Sequence, residues 1–321
     1  FWEKDKYVLK RERDDNFFIE KYNISKNQLE SKIKESIKIL KKSRENRLKP
    51  IVDDKFVTSW NALSVIGLSD AYQSTGDNKF LDKALEIISA VEKNLVKKNL
   101  IVDRSLSGSN ESILFLEDYS FLISAYLSLY QSTFNYDFID RADELAKKTL
   151  SLFSHEESPF LRFSTDQSLF FSNDLFVNQD GVIPSSNSVM CENLFLLSHY
   201  TGNQKYYQTG KLMIDAMAND IIDNTLDHMN WLNVSLDYND KFFEVVISGK
   251  KSHKMANEIS SKYFPNILIA ASKKDSDKYL LKNRYNKGET LIYVCVNNTC
   301  KFPVNNVNEA LKLITKKDEK I

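Results

Sequence analysis

The chain has little glycine, proline, cysteine or histidine. Of its 321 residues, eight are Gly, five are Pro, three are Cys and four are His. So little Gly and Pro argues against a disordered or an all-β protein and favours long helices. The three cysteines, Cys191, Cys295 and Cys300, are too few for a disulfide framework. We therefore expect a reducing, cytoplasmic compartment and a fold that depends on a packed core.

Long apolar runs and an excess of one charge are also missing. No run approaches the roughly 18 apolar residues that cross a bilayer, so a membrane partner is not expected. The 44 basic and 44 acidic residues cancel and are interspersed along the chain, unlike the basic face of a nucleic-acid-binding protein. The first residue is Phe1 rather than Met, which is typical of a fragment or a processed product.

Helical periodicity dominates the chain as far as about residue 230, and the helices repeat in pairs. In each copy a helix ends on an aromatic residue, a tight turn follows, and the next helix opens on an aromatic residue. The turns contain Asp77, Asn135 and Asn203, 58 and then 68 residues apart, at positions suited to helix caps. Such units must stack or close into a ring to bury their apolar faces.

After about residue 235 the pattern becomes strand, helix, strand. Apolar runs at 242–249, 267–271 and 290–296 predict strands, with helices at 252–262 and 305–314. We therefore predict a mainly α fold, an incomplete (α/α)6-type toroid of helix hairpins over residues 1–235. A small C-terminal α/β domain is predicted over residues 236–321.

Three polar clusters precede the first helix of a predicted hairpin. If the hairpins form a ring, these clusters meet at one end of its cavity, as in a site for a sugar or polyol. Each cluster is also explained by helix capping alone. The clusters comprise Asp53, Asp54, Lys55, Trp60 and Asn61; Glu117, Asp118 and Tyr119; and Asp180, Ser185, Asn187 and Ser188.

A fourth cluster contains Cys295 and Cys300 around Asn297 and Asn298. A β-turn with two neighbouring thiols explains it, and zinc or a regulatory disulfide is the alternative. A single C-x4-C pair supplies only two of the four ligands that a zinc site needs. We therefore expect no metal and no cofactor.

Five ordered motifs resemble the thioredoxin-domain-containing proteins related to spermatogenesis-associated protein 20, also described as the DUF255 family. They are RLKPIVDDKFVTSWN (47–61), LEDYSFLI (116–123), DGVIPSSNSV (180–189), VVISG (245–249) and YVCVNNTCKFP (293–303). The resemblance implies an (α/α)6 toroid similar to N-acylglucosamine 2-epimerase and six-hairpin glycosidases. It also implies a thioredoxin-like domain as the partner within the full-length chain. That domain and the family's histidine- and glutamate-containing motif lie outside this sequence.

Two hypotheses follow for the function. In the first, the toroid binds or modifies a carbohydrate, as an epimerase or glycosidase does. Asp53, Asp54 and Asp118 are then the acid–base groups, and the other residues of the three polar clusters bind the substrate. In the second, the toroid is a non-catalytic helical scaffold that partners the thioredoxin-like domain, and the acidic residues are caps and ion-pair partners.

Overall fold

The computed structural model describes residues 10–106, 113–165, 175–296 and 299–315. The chain divides into two compact units, Phe1–Asp54 and Lys55–Ile321. In the first unit, α1 (Asp15–Tyr22) and α2 (Lys26–Glu45) pack together. A capping box of Ser25 and Gln28 begins α2. None of the helices within the described ranges is both long and apolar enough to cross a membrane.

The second unit contains a row of helix hairpins, which confirms the predicted mainly α fold. The hairpins are α3 (Thr58–Thr75) with α4 (Asn78–Leu95), α5 (Leu116–Thr133) with α6 (Asp137–Phe153), and α7 (Ser186–Thr201) with α8 (Gln204–Asp223). Helix α5 packs between α3 and α7, and each second helix packs on its own first helix. The first helices therefore form an inner layer and the second helices an outer one. Helix α9 (Met229–Asn239) packs against α7 and α8.

The three hairpin turns have one local structure. The residue that ends each first helix has a positive φ: 71° at Gly76, 54° at Phe134 and 72° at Gly202. Glycine adopts this left-handed conformation without steric cost, whereas Phe134 requires support from its surroundings. The side chain of the next residue, Asp77, Asn135 or Asn203, accepts from the backbone N–H two residues further on, at 3.1, 3.2 and 3.1 Å. Asp77 and Asn203 are thereby the N-caps of α4 and α8, whereas α6 begins one residue later, after Tyr136. The repeat seen in the sequence is therefore a repeat of turn geometry.

The inner and outer helices differ in how they bury apolar residues. The outer helix α4 buries one face, made by Ala84, Ile88, Val91 and Leu95 at three- and four-residue spacing. The inner helices α5 and α7 are buried around most of their circumference. Polar side chains on these inner helices therefore need an explanation, because burying a polar group costs free energy unless it is paired.

A four-stranded sheet follows the helices. It consists of β3 (Phe243–Ser248), β4 (Ile267–Ser272), β5 (Leu291–Val296) and β6 (Thr299–Cys300), with the order β4-β3-β5-β6. Strands β3 and β4 are parallel and joined by α10 (Ser252–Ser260), as predicted from the strand–helix–strand pattern, whereas β5 and β6 run antiparallel to their neighbours. Helix α11 (Val307–Thr315) packs against β5. A short hairpin of β1 (Val96–Lys97) and β2 (Ile101–Val102) follows α4.

Strand β4 is tied to the inner helices. The side-chain amide of Gln131 and the hydroxyl of Tyr200 both donate to the carbonyl of Ile269, at 3.1 and 3.2 Å. The imidazole of His199 meets the carboxylate of Glu244 on β3 at 2.7 Å. The sheet thus belongs to the same compact unit as the hairpins. The predicted domain division at residue 235 stays a prediction.

Candidate functional site

The segment that enters each hairpin pairs with the segment that leaves it. Thr58 N–H donates to the carbonyl of Arg104 at 2.9 Å, and Leu116 N–H donates to the carbonyl of Phe163 at 2.9 Å. These pairs hold the free N-termini of α3 and α5, where backbone donors lack partners within the helix. Lys55, Trp60 and Asn61 of the first polar cluster and all residues of the second cluster lie at or beside these two helix ends.

Asp118 joins the starts of α3 and α5. Its carboxylate accepts from the backbone N–H of Ser59 at 3.0 Å and lies 3.5 Å from the guanidinium of Arg104. The neighbouring Glu117 accepts from the Ser59 hydroxyl at 2.8 Å and also meets Arg104 at 3.5 Å. Complete burial raises the pKa of Asp118 to about 6, although Arg104 and the Ser59 bonds oppose that shift. The Asp118 carboxyl group is therefore occupied by contacts within the fold.

Tyr119 and Asn61 also hold backbone. The fully buried Tyr119 hydroxyl accepts from Val102 N–H at 3.0 Å and donates to the carbonyl of Leu100 at 3.1 Å. Burial is the main reason why its pKa rises to about 12. The amide of Asn61 donates to the carbonyl of Val57 at 2.8 Å. The Tyr119 ring packs edge-on against Phe153 and the residue is completely buried, so neither face of the ring is open to a sugar.

The third polar cluster anchors the segment ahead of α7. The buried Asn187 amide accepts from Leu161 N–H at 2.8 Å and donates to the Leu161 carbonyl at 3.0 Å. Asp180 accepts from Ser185 N–H at 2.8 Å, from the Ser188 hydroxyl at 3.2 Å, and from Asn230 N–H at 2.8 Å. Ser185 caps α7 by accepting from Ser188 N–H at 3.2 Å.

The remaining residues of the first cluster have different surroundings. Asp53 and Asp54 belong to the first unit and are exposed. In the second unit, Lys55 is exposed and the Trp60 side chain is 53% exposed. The structure therefore brings Glu117 and Asp118 together with Ser59, and Asp180 together with Ser185 and Ser188. The catalytic and substrate-binding roles assigned to the three clusters stay predictions.

A cavity of about 420 Å³ lies on the inner face of the hairpin row. None of the ten predicted site residues in 55–321 lines it. It is bounded by the middles of α3, α5 and α7, by α9, and by the segment that leads into β4. Its polar and aromatic lining includes Asp70, Gln73, Phe121, Ser124, Ser128, Gln131, Glu192, Asn193, Tyr200, Asn230, Asp237, Phe242 and Lys262.

Equivalent positions of each repeat face this cavity. Positions are compared by their distance from the turn residues Gly76, Phe134 and Gly202. The first set of equivalent residues is Leu63, Phe121 and Val189. The second set is Ile66, Ser124 and Glu192, and the third is Asp70, Ser128 and Leu196. Their spacing of three, then four residues places them on one face of each helix. The repeat therefore builds one concave surface from three helices.

Three carboxyl groups line the cavity: Asp70 on α3, Glu192 on α7 and Asp237 on α9. Burial raises the pKa of all three. The charge of Asp70 adds to the shift at Glu192, and the charge of Glu192 adds to the shift at Asp237, whose pKa reaches about 7. Among the residues that the structure describes, none donates a hydrogen bond or forms an ion pair with these three groups. Unlike Asp118, they are available to a ligand.

Sequence reasoning missed these three acids although two of them carried a signal. Asp70 and Glu192 interrupt mainly apolar stretches of repeated inner helices. Aligning the three first helices on their turns would have placed both acids on the inner face. Asp237 lies on α9, which is no copy of the repeat, so only the tertiary fold reveals its position.

The structure also resolves the pairing of two cysteines. Cys295 and Cys300 form a disulfide, and Cys191 is a buried free thiol. Asn297 and Asn298, where a β-turn is predicted, lie outside the described residues. Within the described part of the chain, no group of three or more His, Cys, Asp or Glu residues is arranged to hold a metal ion.

No protein-family model matches the chain. An uncharacterized protein of Caenorhabditis elegans is 32% identical over 212 residues, which cover 63% of this chain and 29% of that protein. Human spermatogenesis-associated protein 20 is 22% identical over 295 residues (85% and 37%), and its rat counterpart is 22% identical over 320 residues (92% and 40%). The chain thus spans 29% to 40% of the length of these curated relatives.

Solved structures with detectable similarity include sugar-processing proteins. A sugar epimerase from a ruminal bacterium has a TM-score of 0.42 at 16% identity, covering 51% of this chain and 44% of that one. The GH76 alpha-mannanase of Bacteroides thetaiotaomicron has a TM-score of 0.47 at 14% identity, covering 73% and 68%. A D-mannose isomerase has a TM-score of 0.40 at 15% identity, covering 50% and 41%.

Proposed function

We propose that the cavity on the inner face of the hairpin row binds a carbohydrate or polyol and that its carboxyl groups act on this ligand. One observation supports this proposal above all others. Asp70, Glu192 and Asp237 come from three different helices, line one concave surface, and lack hydrogen-bond partners among the described residues. Asp70 is exposed and Glu192 and Asp237 are half-buried, so a ligand can reach all three, and the desolvation that raises their pKa values is typical of functional carboxyl groups.

The remaining lining suits a ligand rich in hydroxyl groups. Side-chain amides such as Asn193 and Asn230 donate and accept hydrogen bonds, carboxylates accept from hydroxyl groups, and rings such as Phe121 and Phe242 offer apolar surface. The volume of about 420 Å³ falls in the range of roughly 300–1,000 Å³ typical of small-molecule sites. Asn193 is oriented by bonds to Ser120 and Ser124, at 2.8 Å each.

The carboxyl groups also suit acid–base chemistry. Glu192 and Asp237 influence each other's titration, so their protons belong to the pair and not to one residue. Because the pKa of Asp237 is about 7, this carboxyl group is present in both its protonated and its ionised form near neutral pH. A protonated carboxyl donates to a leaving oxygen, while an ionised one stabilises positive charge on the sugar or removes a proton. The same pair serves hydrolysis of a glycoside or proton exchange at a sugar carbon.

The test is calorimetric titration of a panel of mono- and disaccharides into the wild-type protein and three variants. Asp237→Asn and Glu192→Gln keep the side-chain shapes and remove the charges. We expect each to weaken binding at least about tenfold, because a charge-assisted hydrogen bond contributes roughly 1.5–3 kcal/mol. Asp220→Asn changes an exposed carboxylate on the outer helix α8 and is the matched control. Binding that survives both cavity substitutions contradicts the proposal.

A second candidate function is a non-catalytic scaffold. The supporting observation is that the polar motifs ahead of α5 and α7 are occupied by hydrogen bonds within the fold, as a purely structural role requires. A folded protein that binds no member of the panel supports this function. The thioredoxin-like partner domain stays a proposal in either case and is to be sought in the full-length protein.

A further inference from the structure

A row of side chains crosses three neighbouring strands of the sheet. Glu244 on β3 is in register with Cys295 on β5, which is in register with Cys300 on β6. Directly opposed residues of neighbouring strands project to the same face of a sheet. The carboxylate and the Cys295–Cys300 disulfide therefore share one face.

The two sulfur atoms differ in accessibility. Cys295 is completely buried, whereas Cys300 is exposed and lines an open cavity of about 460 Å³. The other lining residues are Glu244, Tyr279, Leu280, Lys282, Asn283, Arg284 and Tyr293. A thiolate that enters this cavity reaches the sulfur of Cys300 and not that of Cys295.

Arg284 is positioned against the disulfide. Its guanidinium lies 3.3 Å from Sγ of Cys300 and 3.8 Å from Sγ of Cys295. The same group donates to the carbonyl of Leu280 and lies 5.8 Å from the centre of the Tyr293 ring. These contacts fix a permanent cation beside both sulfur atoms. A neighbouring cation favours the thiolate over the thiol, which increases both the attack of a cysteine and its departure from a disulfide.

We propose that Cys295–Cys300 is a redox-active disulfide that exchanges with an external dithiol, with Cys300 as the attacked sulfur and Arg284 as the group that stabilises the thiolates. A thiolate of the dithiol attacks Sγ of Cys300, the Cys295–Cys300 bond breaks, and Cys295 leaves as a thiolate beside Arg284. The second thiol of the reductant then attacks the reductant's first sulfur in the mixed disulfide, and Cys300 leaves as a thiolate. The external dithiol loses two electrons and becomes a disulfide. The two cysteines gain these electrons and take up the two protons that the dithiol releases.

The experiment measures the reduction of this disulfide by dithiothreitol at pH 7, followed by mass spectrometry after alkylation of the released thiols. Arg284→Gln removes the cation, and we expect its reduction rate to fall about threefold to tenfold because the leaving thiolates lose their counter-charge. Lys282→Gln removes a cation that lines the same cavity without touching the sulfurs, so it is the matched control and is expected to react like the wild type. Arg284→Lys keeps the positive charge and is expected to retain part of the wild-type rate, so it distinguishes loss of the cation from poor folding of Arg284→Gln.

Alkylation of the fully reduced protein provides a second readout. With substoichiometric iodoacetamide at pH 7, Cys300 is expected to be labelled at least about tenfold faster than Cys295, and this preference should diminish in Arg284→Gln. Equal labelling of the two cysteines, or equal reduction rates for Arg284→Gln and Lys282→Gln, would overturn the proposal. So would two free thiols in the protein purified without reductant, since the pair would then not form the disulfide.

Discussion

Polar residues at the starts of the inner helices and polar residues in the middles of those helices differ in whether they have hydrogen-bond partners. At the helix starts, Asp118 and Asn187 are buried and bonded to backbone that they hold in place. In the helix middles, Glu192 and Asp70 face a cavity without a hydrogen-bond partner among the described residues. A polar motif that stands out in a sequence therefore marks the joints of this fold, while the groups free for a ligand lie in less distinctive segments.

The difference has a physical cause. A helix start exposes backbone N–H groups that need acceptors, so polar residues concentrate there whether or not the protein binds anything. A carboxyl group in the middle of an inner helix, such as Glu192, has no free backbone N–H group to accept from. Its removal from water instead raises its pKa. The free energy cost of the second arrangement is what makes it informative about function.

The largest effect is expected for Asn187→Ala. The substitution leaves the buried N–H and carbonyl of Leu161 without their partners, at about 1–3 kcal/mol for each group. We expect the free energy of unfolding in urea to fall by about 2–4 kcal/mol. Asn233→Ala, at an exposed position of α9, is the control and should cost much less. Equal small losses for both would show that Asn187 is no anchor.

Asp118→Asn is expected to flatten the dependence of stability on pH. The pKa of Asp118 in the fold, about 6, lies above the ordinary value of 3.8, so its favourable contribution is complete below pH 4 and is lost as the pH rises through 6. Between pH 4 and pH 7 the wild type should therefore lose about 2 kcal/mol more than the variant. Urea unfolding at several pH values measures this difference. Parallel curves for the two proteins would contradict the burial argument.

Asp237→Asn should separate stability from binding. Because its folded pKa of about 7 also exceeds the ordinary value, the favourable contribution of protonated Asp237 is lost as the pH rises from about 4 through 7. The variant should be about 1 kcal/mol more stable than the wild type at pH 8.5 and indistinguishable from it at pH 4. A variant that is less stable at both pH values would mean that Asp237 is a structural group like Asp118.

Trp60→Ala is expected to have the smallest effect. Because more than half of Trp60 is exposed and its ring makes no hydrogen bond to another described residue, the free energy of unfolding should change by about 0.5 kcal/mol or less. Affinity for any sugar that binds the cavity should be unchanged within about twofold, since Trp60 does not line it. A large loss of affinity would instead support the platform role that the sequence predicts for Trp60.

Much of the fold was accessible from the sequence because its repeats are local. The turns at Gly76, Phe134 and Gly202 and the caps that follow them depend on residues close in the chain. The parallel pairing of β3 and β4 likewise follows from the strand–helix–strand pattern. The cavity was not accessible, because Asp70, Glu192 and Asp237 meet only when distant helices pack. Aligning the repeats would have placed Asp70 and Glu192 on the inner face, but it would not have shown that this face borders a cavity.

The most direct measurement is a pH titration of the aspartate and glutamate side-chain carboxyl carbons by NMR, with and without a saccharide that binds. We predict that Asp237 titrates near pH 7 and that its signal and that of Glu192 shift when the saccharide is added. The Asp118 signal should titrate near pH 6 and remain in place. A saccharide that shifts Asp118 and leaves Glu192 and Asp237 unchanged would contradict this assignment of the site.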